Sequence, residues 1–165
     1  MTTEQIRPQI CVFIAAQATL MTVLQEIPTG RQDKPYCLLS LALALTGLTE
    51  PLAAMIYGAV CGALCDLLGS GRIGFYAAAT SLVCAVVSYW LQNVWQNRFI
   101  TRSLLWAAAV FTIIGANFFL FRAWQEGSGQ LALHYLWRIL LTYPGIFPLY
   151  GVNQLFWRRR HGARA

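Results

Sequence analysis

Gly58-Ala-Val-Cys-Gly-Ala-Leu-Cys-Asp-Leu-Leu-Gly69 sets a single carboxylate at the end of an apolar stretch punctuated by glycines. The spacing of Gly58, Gly62, Cys65, Asp66 and Gly69, at steps of three and four, is helical. A charge at the end of such a helix costs several kcal/mol unless neighbouring groups satisfy it. Asp66 therefore has to be explained, and the sequence on either side decides which solvent surrounds it.

That solvent is lipid. Of the 165 residues, 58% are apolar and 11% charged, whereas a soluble domain carries about 25% charged residues. Mean hydropathy is +0.53. Charge-free runs extend over Pro8–Gln25, Pro35–Thr49, Pro51–Cys65, Ile73–Asn97, Ser103–Phe121 and Ile139–Trp157. A helix rising about 1.5 Å per residue needs roughly 20 residues to cover about 30 Å of hydrocarbon. Four runs meet or nearly meet that length, and the two flanking Glu50 reach it once their ends are included. The expectation is an all-α polytopic membrane protein, a single integral membrane domain over residues 1–165.

The remaining composition narrows the class. Met1 to Arg7 holds one basic residue and no small-x-small cleavage site closes the following run, so Pro8 onward reads as a retained first helix. Cys11, Cys37, Cys61, Cys65 and Cys84 all lie in apolar runs, far in sequence from the two histidines. They read as small buried hydrophobes, with no metal site. The net charge of +6 is concentrated in a basic tail over 158–165, with Arg158, Arg159, Arg160 and Arg164 directly after the last apolar run. This is where a headgroup anchor belongs, and it argues against nucleic acid.

The expected segments are about 8–27, 36–48, 51–69, 73–96, 102–122 and 131–157, joined by short loops in a compact bundle. With both termini in the cytoplasm, Arg7, Arg98, Arg102, Arg158, Arg159, Arg160 and Arg164 lie inside, and Arg31, Lys34, Arg72 and Arg122 outside. The excess of basic residues inside favours that orientation. Segments two and three, broken at Thr49-Glu50-Pro51, read either as two tilted crossings or as a re-entrant hairpin packed within the bundle. For the last segment the favoured reading lays Leu131–Trp137 along the outer interface and starts the crossing at Ile139, leaving Arg138 at headgroup depth. The other begins the helix at Leu131 and buries Arg138. Pro144 and Pro148 are expected to kink it.

The small residues Gly58 and Gly62 allow two helix backbones to approach closely. The facing surface is expected on segment four at Ala77, Ala78, Ser81, Ala85 and Ser88, within the bundle rather than between molecules. At a helix C-terminus the macrodipole disfavours Asp66, so compensation is required. Candidate donors are backbone N–H groups of Gly69-Ser70-Gly71 and Ile73-Gly74, and the Arg72 side chain. A clamp that caps the next helix is favoured over a proton, cation or ligand site. Glu50 before Pro51 suits a helix start. Asn117 and Asn153 are expected to bond across helices, with Gln17 and Gln92 as weaker versions of that signal. Tyr89, Trp90, Trp95, Trp106, Trp124 and Trp137 are expected at membrane interfaces. No Gly-x-Ser-x-Gly, HExxH or Walker A motif occurs, so no catalytic residue, cofactor or metal is assigned.

Gly58, Gly62, Asp66, Leu67, Leu68, Gly71 and Gly74, followed by a small-rich helix ending in Ser88-Tyr89, fit a pattern similar to G-x3-G-x3-DLL-x-G-x2-LG-x(n)-Y, with Ile73 in place of leucine. In this the chain resembles the bacterial rod-shape-determining MreD family. The match covers about 35 residues, and length, Lys34-Pro35 and the basic tail agree with it. The resemblance implies a non-enzymatic inner-membrane component of the cell-elongation machinery. Its partners would be the coiled-coil protein MreC, and with it MreB, a RodA-type glycosyltransferase and a penicillin-binding transpeptidase. Gly58, Gly62, Asp66, Gly69, Gly71, Arg72 and Gly74 would be its structural or partner-binding residues, with the MreC transmembrane helix docking on the small-residue face and Asp66 fixing the turn after segment three. The family's fold resembles the S-components of energy-coupling-factor transporters, so a vitamin-binding transporter subunit is the alternative.

Overall fold

A computed structural model describes residues 8–26, 36–70, 74–93, 99–121 and 129–161 of the chain, and every element in them is helical. The helices are α1 (Pro8–Glu26), α2 (Cys37–Thr46), α3 (Pro51–Cys65), α4 (Phe75–Asn93), α5 (Phe99–Phe121) and α6 (Gly129–His161). The end of α3 continues as a wider π-helical turn, Asp66–Ser70. Three stretches, Pro51–Leu68, Phe75–Asn93 and Phe99–Leu120, are long and apolar enough to cross a membrane. The chain is a helical membrane protein.

Helix α2 is the centre of the bundle. Its ten residues, CLLSLALALT, are apolar almost all round, and Leu38 to Thr46 are buried without interruption. A helix with no polar face has to be enclosed, and α2 touches all five other helices. At about 1.5 Å per residue it is roughly 15 Å long, half a hydrocarbon core. Its end is turned by Gly47 to Thr49, whose backbone N–H groups at 48 and 49 donate to the Leu45 carbonyl at 3.0 and 3.1 Å. Extended Glu50 and Pro51 at the first helical position then start α3, because proline imposes extended backbone on the residue before it and suits a first turn. The Glu50 side chain makes no capping bond.

Successive helices alternate in direction. Gly58 lies against Thr80 and Cys84, and Gly62 against Tyr76, so α3 and α4 are antiparallel. Tyr36 meets Tyr76 at one end of α2, and Ser88 donates to the Thr49 carbonyl at the other. Tyr135 donates to Asn117 near the end of α5, while Phe99 at its start contacts Phe147. Phe13 stacks on Phe156, centroids 4.0 Å apart, which brings the start of α1 to the end of α6. The bundle therefore has an Asp66 end and a Glu50 end, and the start of α1 and the end of α6 share the latter.

Three expectations are corrected. The last segment is one helix from Gly129 to His161, with no break before Ile139, and it runs through Pro144 and Pro148. Leu131 to Trp137 contains no glycine or proline to interrupt it, and half-buried Arg138 donates to the Tyr36 hydroxyl. Trp106 is not an interface residue: it is 1% exposed and its Nε1 donates to Thr46 Oγ1 at 3.3 Å. Asn153 donates to the Leu149 carbonyl of its own helix at 2.9 Å rather than across helices. Trp90 and Trp137 do face outward; Trp95 and Trp124 lie outside the described residues.

Candidate functional site

The site is built where α3 ends and α4 begins. Helix α4 starts after Gly74, which has φ +100°, a left-handed conformation that residues with a Cβ adopt only under strain. The Gly74 carbonyl accepts the first bond of the new helix, from the Ala78 N–H at 3.0 Å. Gly74 thus occupies the capping position, where a serine or aspartate side chain would ordinarily accept from the next N–H groups. Glycine has none to offer.

Asp66 supplies the missing acceptor from the other helix. Its Oδ2 accepts from the Gly74 and Ala77 N–H groups, each at 3.0 Å, and its Oδ1 from the Tyr76 N–H at 3.1 Å. The residue is 3% exposed. Unpaired N–H groups and partial positive charge at the start of α4 make that position favourable for a carboxylate. The location that disfavours Asp66 in its own helix is compensated by the helix it faces. Of the expected donors, Gly74 is among those found, while Gly71 and Arg72 lie outside the described residues. Gly69 sits in the π-helical turn that carries the chain away from Asp66.

Gly62 and Gly58 explain how the carboxylate reaches that far. A Cβ on Gly62 would lie 2.3 Å from the Tyr76 carbonyl oxygen and 2.7 Å from the Ala77 Cα. A Cβ on Gly58 would lie 2.9 Å from the Thr80 carbonyl oxygen and 3.0 Å from the Ser81 Cα. The helices touch backbone to backbone, closest next to Asp66, and this is the most extensive helix pair in the bundle. Ala77 and Ser81 face α3 as the spacing predicts, together with Tyr76, Thr80 and Cys84. Ala78 points outward instead. Cys61, Cys65 and Cys84 are buried free thiols among these contacts.

A second group of residues extends the site and is not evident in the sequence. Tyr76, whose N–H is held by Asp66, donates through its hydroxyl to the Tyr36 hydroxyl at 3.1 Å. Arg138 Nη1 also donates to Tyr36, at 2.9 Å, and its guanidinium carbon lies 5.4 Å from the centre of that ring. The Tyr36 N–H donates to Thr142 Oγ1 at 3.2 Å, and Ser40 Oγ to the Thr142 carbonyl at 2.8 Å. Asp66, Tyr76, Tyr36 and Arg138 thus form one polar path across α3, α4, α2 and α6. Tyr36 and Tyr76, at the starts of α2 and α4 and following Pro35 and Gly74 in sequence, are the local signal of this path.

The opposite end has its own ties. The Thr49 carbonyl accepts from Ser88 Oγ at 2.7 Å and Gln92 Nε2 at 2.6 Å. Arg102 donates to the Tyr150 hydroxyl and lies over its ring. Among the described residues no three of His, Cys, Asp and Glu converge as metal ligands. The Asp66 arrangement accepts hydrogen bonds from the start of α4 and holds the two helices together.

No family model, curated protein or solved structure matches this chain.

Proposed function

We propose that this protein is a non-enzymatic inner-membrane scaffold of the cell-elongation machinery, of the MreD type, that holds an MreC-like single-span coiled-coil partner. The observation that supports this reading most directly is the Asp66 clasp. The motif that carries the resemblance, Gly58-x3-Gly62-x3-Asp66 with Gly74, acts as one helix-pairing device in which each of these four residues has a mechanical part. A carboxylate accepting from three backbone N–H groups at a helix start favours the clamp over a proton or cation site.

The same geometry moves the partner's seat away from the small-residue face. Gly58 and Gly62 are covered by α4, so an MreC-like helix docks on an outward surface of the bundle. Alternating helix directions, with the start of α1 beside the end of α6, support six crossings with both termini on one side. The arginine-rich tail supports the cytoplasm as that side. MreB, a RodA-type glycosyltransferase and a penicillin-binding transpeptidase would then act on the same assembly.

Co-purification tests this. The full chain is co-expressed with the single-span coiled-coil protein, extracted in mild detergent and captured through a tag on either component. The expected result is a stable complex. Failure to retain the partner while the bundle stays folded overturns the scaffold reading, and a vitamin retained in its place favours the transporter.

A further inference from the structure

At the Asp66 end the helices stop at two different heights. Asp66, Tyr76, Tyr36 and Arg138 mark the lower one, because hydrogen bonds tie them together across α3, α4, α2 and α6. Helix α4 starts one residue before Tyr76, α2 one residue after Tyr36, and α3 runs past Asp66 only by its π-helical turn. Helix α1 does not climb higher. From Phe13, stacked on Phe156, thirteen residues take it to Glu26, about 20 Å, whereas α6 covers eighteen residues, about 27 Å, between Phe156 and Arg138.

Among the described residues only α5 and α6 continue upward. Arg102 bonds Tyr150 and Asn117 bonds Tyr135, fifteen residues on along α5 and fifteen back along α6, which sets Ile114 opposite Arg138. Past those positions α5 runs seven residues to Phe121 and α6 reaches back nine to Gly129. The pair therefore stands about 10 Å above the other helix ends.

A single flat membrane boundary does not suit both heights. On the tall side Phe119, Leu120, Leu133 and Leu136 are largely exposed, and large apolar side chains are disfavoured in water. Helix α5 stays apolar up to Leu120, and the next charge in the sequence is Arg122. On the low side the sequence joining the helices is charged, with Arg31, Asp33 and Lys34 between α1 and α2 and Arg72 between α3 and α4. Charges and open helix ends are costly in hydrocarbon. A boundary at the tall height would cover them, and one at the low height would strand the apolar tip in water.

We propose that this protein thins the leaflet at its Asp66 end by about 10 Å around α1, α3 and α4. Headgroups then meet the chain near Leu67 on that side and near Leu120 beside α5 and α6. The low side fits short acyl chains, since a bilayer accommodates a short hydrophobic surface by thinning at modest cost. The inference requires only that the chain lie in a membrane, and is independent of the scaffold reading.

Spin-label depths test it. Leu67→Cys, Phe111→Cys and Leu120→Cys are made singly in a background lacking the native cysteines; all three side chains are largely exposed, so the core is untouched. The full chain is reconstituted in dioleoylphosphatidylcholine vesicles. Depth is read from collisions with oxygen, which concentrates in hydrocarbon, against a nickel chelate, which stays in water. Labels at Leu67 and Leu120 should both read headgroup depth, and Phe111, nine residues before Leu120, should read about 13 Å deeper. A Leu67 label about 10 Å inside the hydrocarbon overturns the proposal, because the bilayer is then flat at the tall height. A Leu120 label in water overturns it as well, because the α5–α6 tip then projects from a bilayer flat at the low height. Exposed Ala78, two residues below Tyr76 on α4, repeats the low-side reading as Ala78→Cys if labelling Leu67 lowers the melting temperature. Label depth and partner capture are separate readouts, so either reading can fail alone.

Discussion

Asp66 does the work of a capping residue from eight positions before Gly74, the glycine at the capping position of α4. Both carboxylate oxygens are engaged, one by two N–H groups and the other by one. Asparagine keeps one acceptor oxygen but turns an N–H2 toward groups that are themselves donors, and it removes the charge that suits the helix start. Asp66→Asn is therefore expected to cost about 2 kcal/mol, the scale of a hydrogen bond to a charged group, seen as a lower melting temperature in detergent. The two motif glycines should separate by degree. Gly62→Ala forces a Cβ into the Tyr76 carbonyl and should destabilise by about 1–3 kcal/mol. Gly58→Ala, with contacts of 2.9–3.1 Å against 2.3–2.7 Å, should cost less in the same melting assay. Equal losses at the two positions would mean that the helices do not converge toward Asp66.

At the scale of elements, the sequence carried most of the information where length and apolar content decide. Segments predicted at 51–69 and 73–96 appear as α3 with its π-helical turn and as α4, because glycine, proline and small-residue spacing are local signals. The clasp was legible too, since a carboxylate at a helix end next to a glycine turn has few places to go. What escaped were facts created by packing. Trp106 looked like any membrane tryptophan, yet it is enclosed because Thr46 offers an acceptor from α2, sixty positions earlier in the chain. Arg138 donates to the Tyr36 hydroxyl, and the Tyr36 N–H to Thr142, contacts that exist only because α2 packs against α6 and that no local sequence signal announces. Trp106→Phe tests the first point: the ring stays, the indole bond goes, and a loss of about 1 kcal/mol is expected. Thr46→Val should lose a similar amount, and the double variant should lose less than the sum. Full additivity in thermal melts would show that the two side chains do not interact.

The whole molecule has two polar rims joined by an apolar middle. At the Asp66 end a path through Tyr76, Tyr36 and Arg138 links four helices; at the Glu50 end Thr49, Gln92, Arg102 and Tyr150 do similar service. Buried polar groups carry a desolvation cost that packing alone would not, so they fix which arrangement of helices is allowed. The alternation of directions yields a prediction for the intact protein. Single cysteines introduced at Thr3 and at Ala165, in a background lacking the native cysteines, should be labelled by a membrane-impermeant maleimide from the same face. In right-side-out vesicles neither should react, and both should react after inversion. Labelling of the two positions from opposite faces would sink the six-crossing reading.

The central position of α2 has a consequence for the order in which the protein can be made. Its ten residues leave the ribosome early, but Ser40 and Tyr36 find their partners on α6 only 102 and 106 residues later. Until the last third of the chain has been inserted, the α6-facing side of α2 has only lipid or a temporary companion to lean on. Assembly of this bundle is thus timed by its final helix: α3 and α4 can clasp as soon as both are present, while the middle stays unsealed until synthesis is nearly complete.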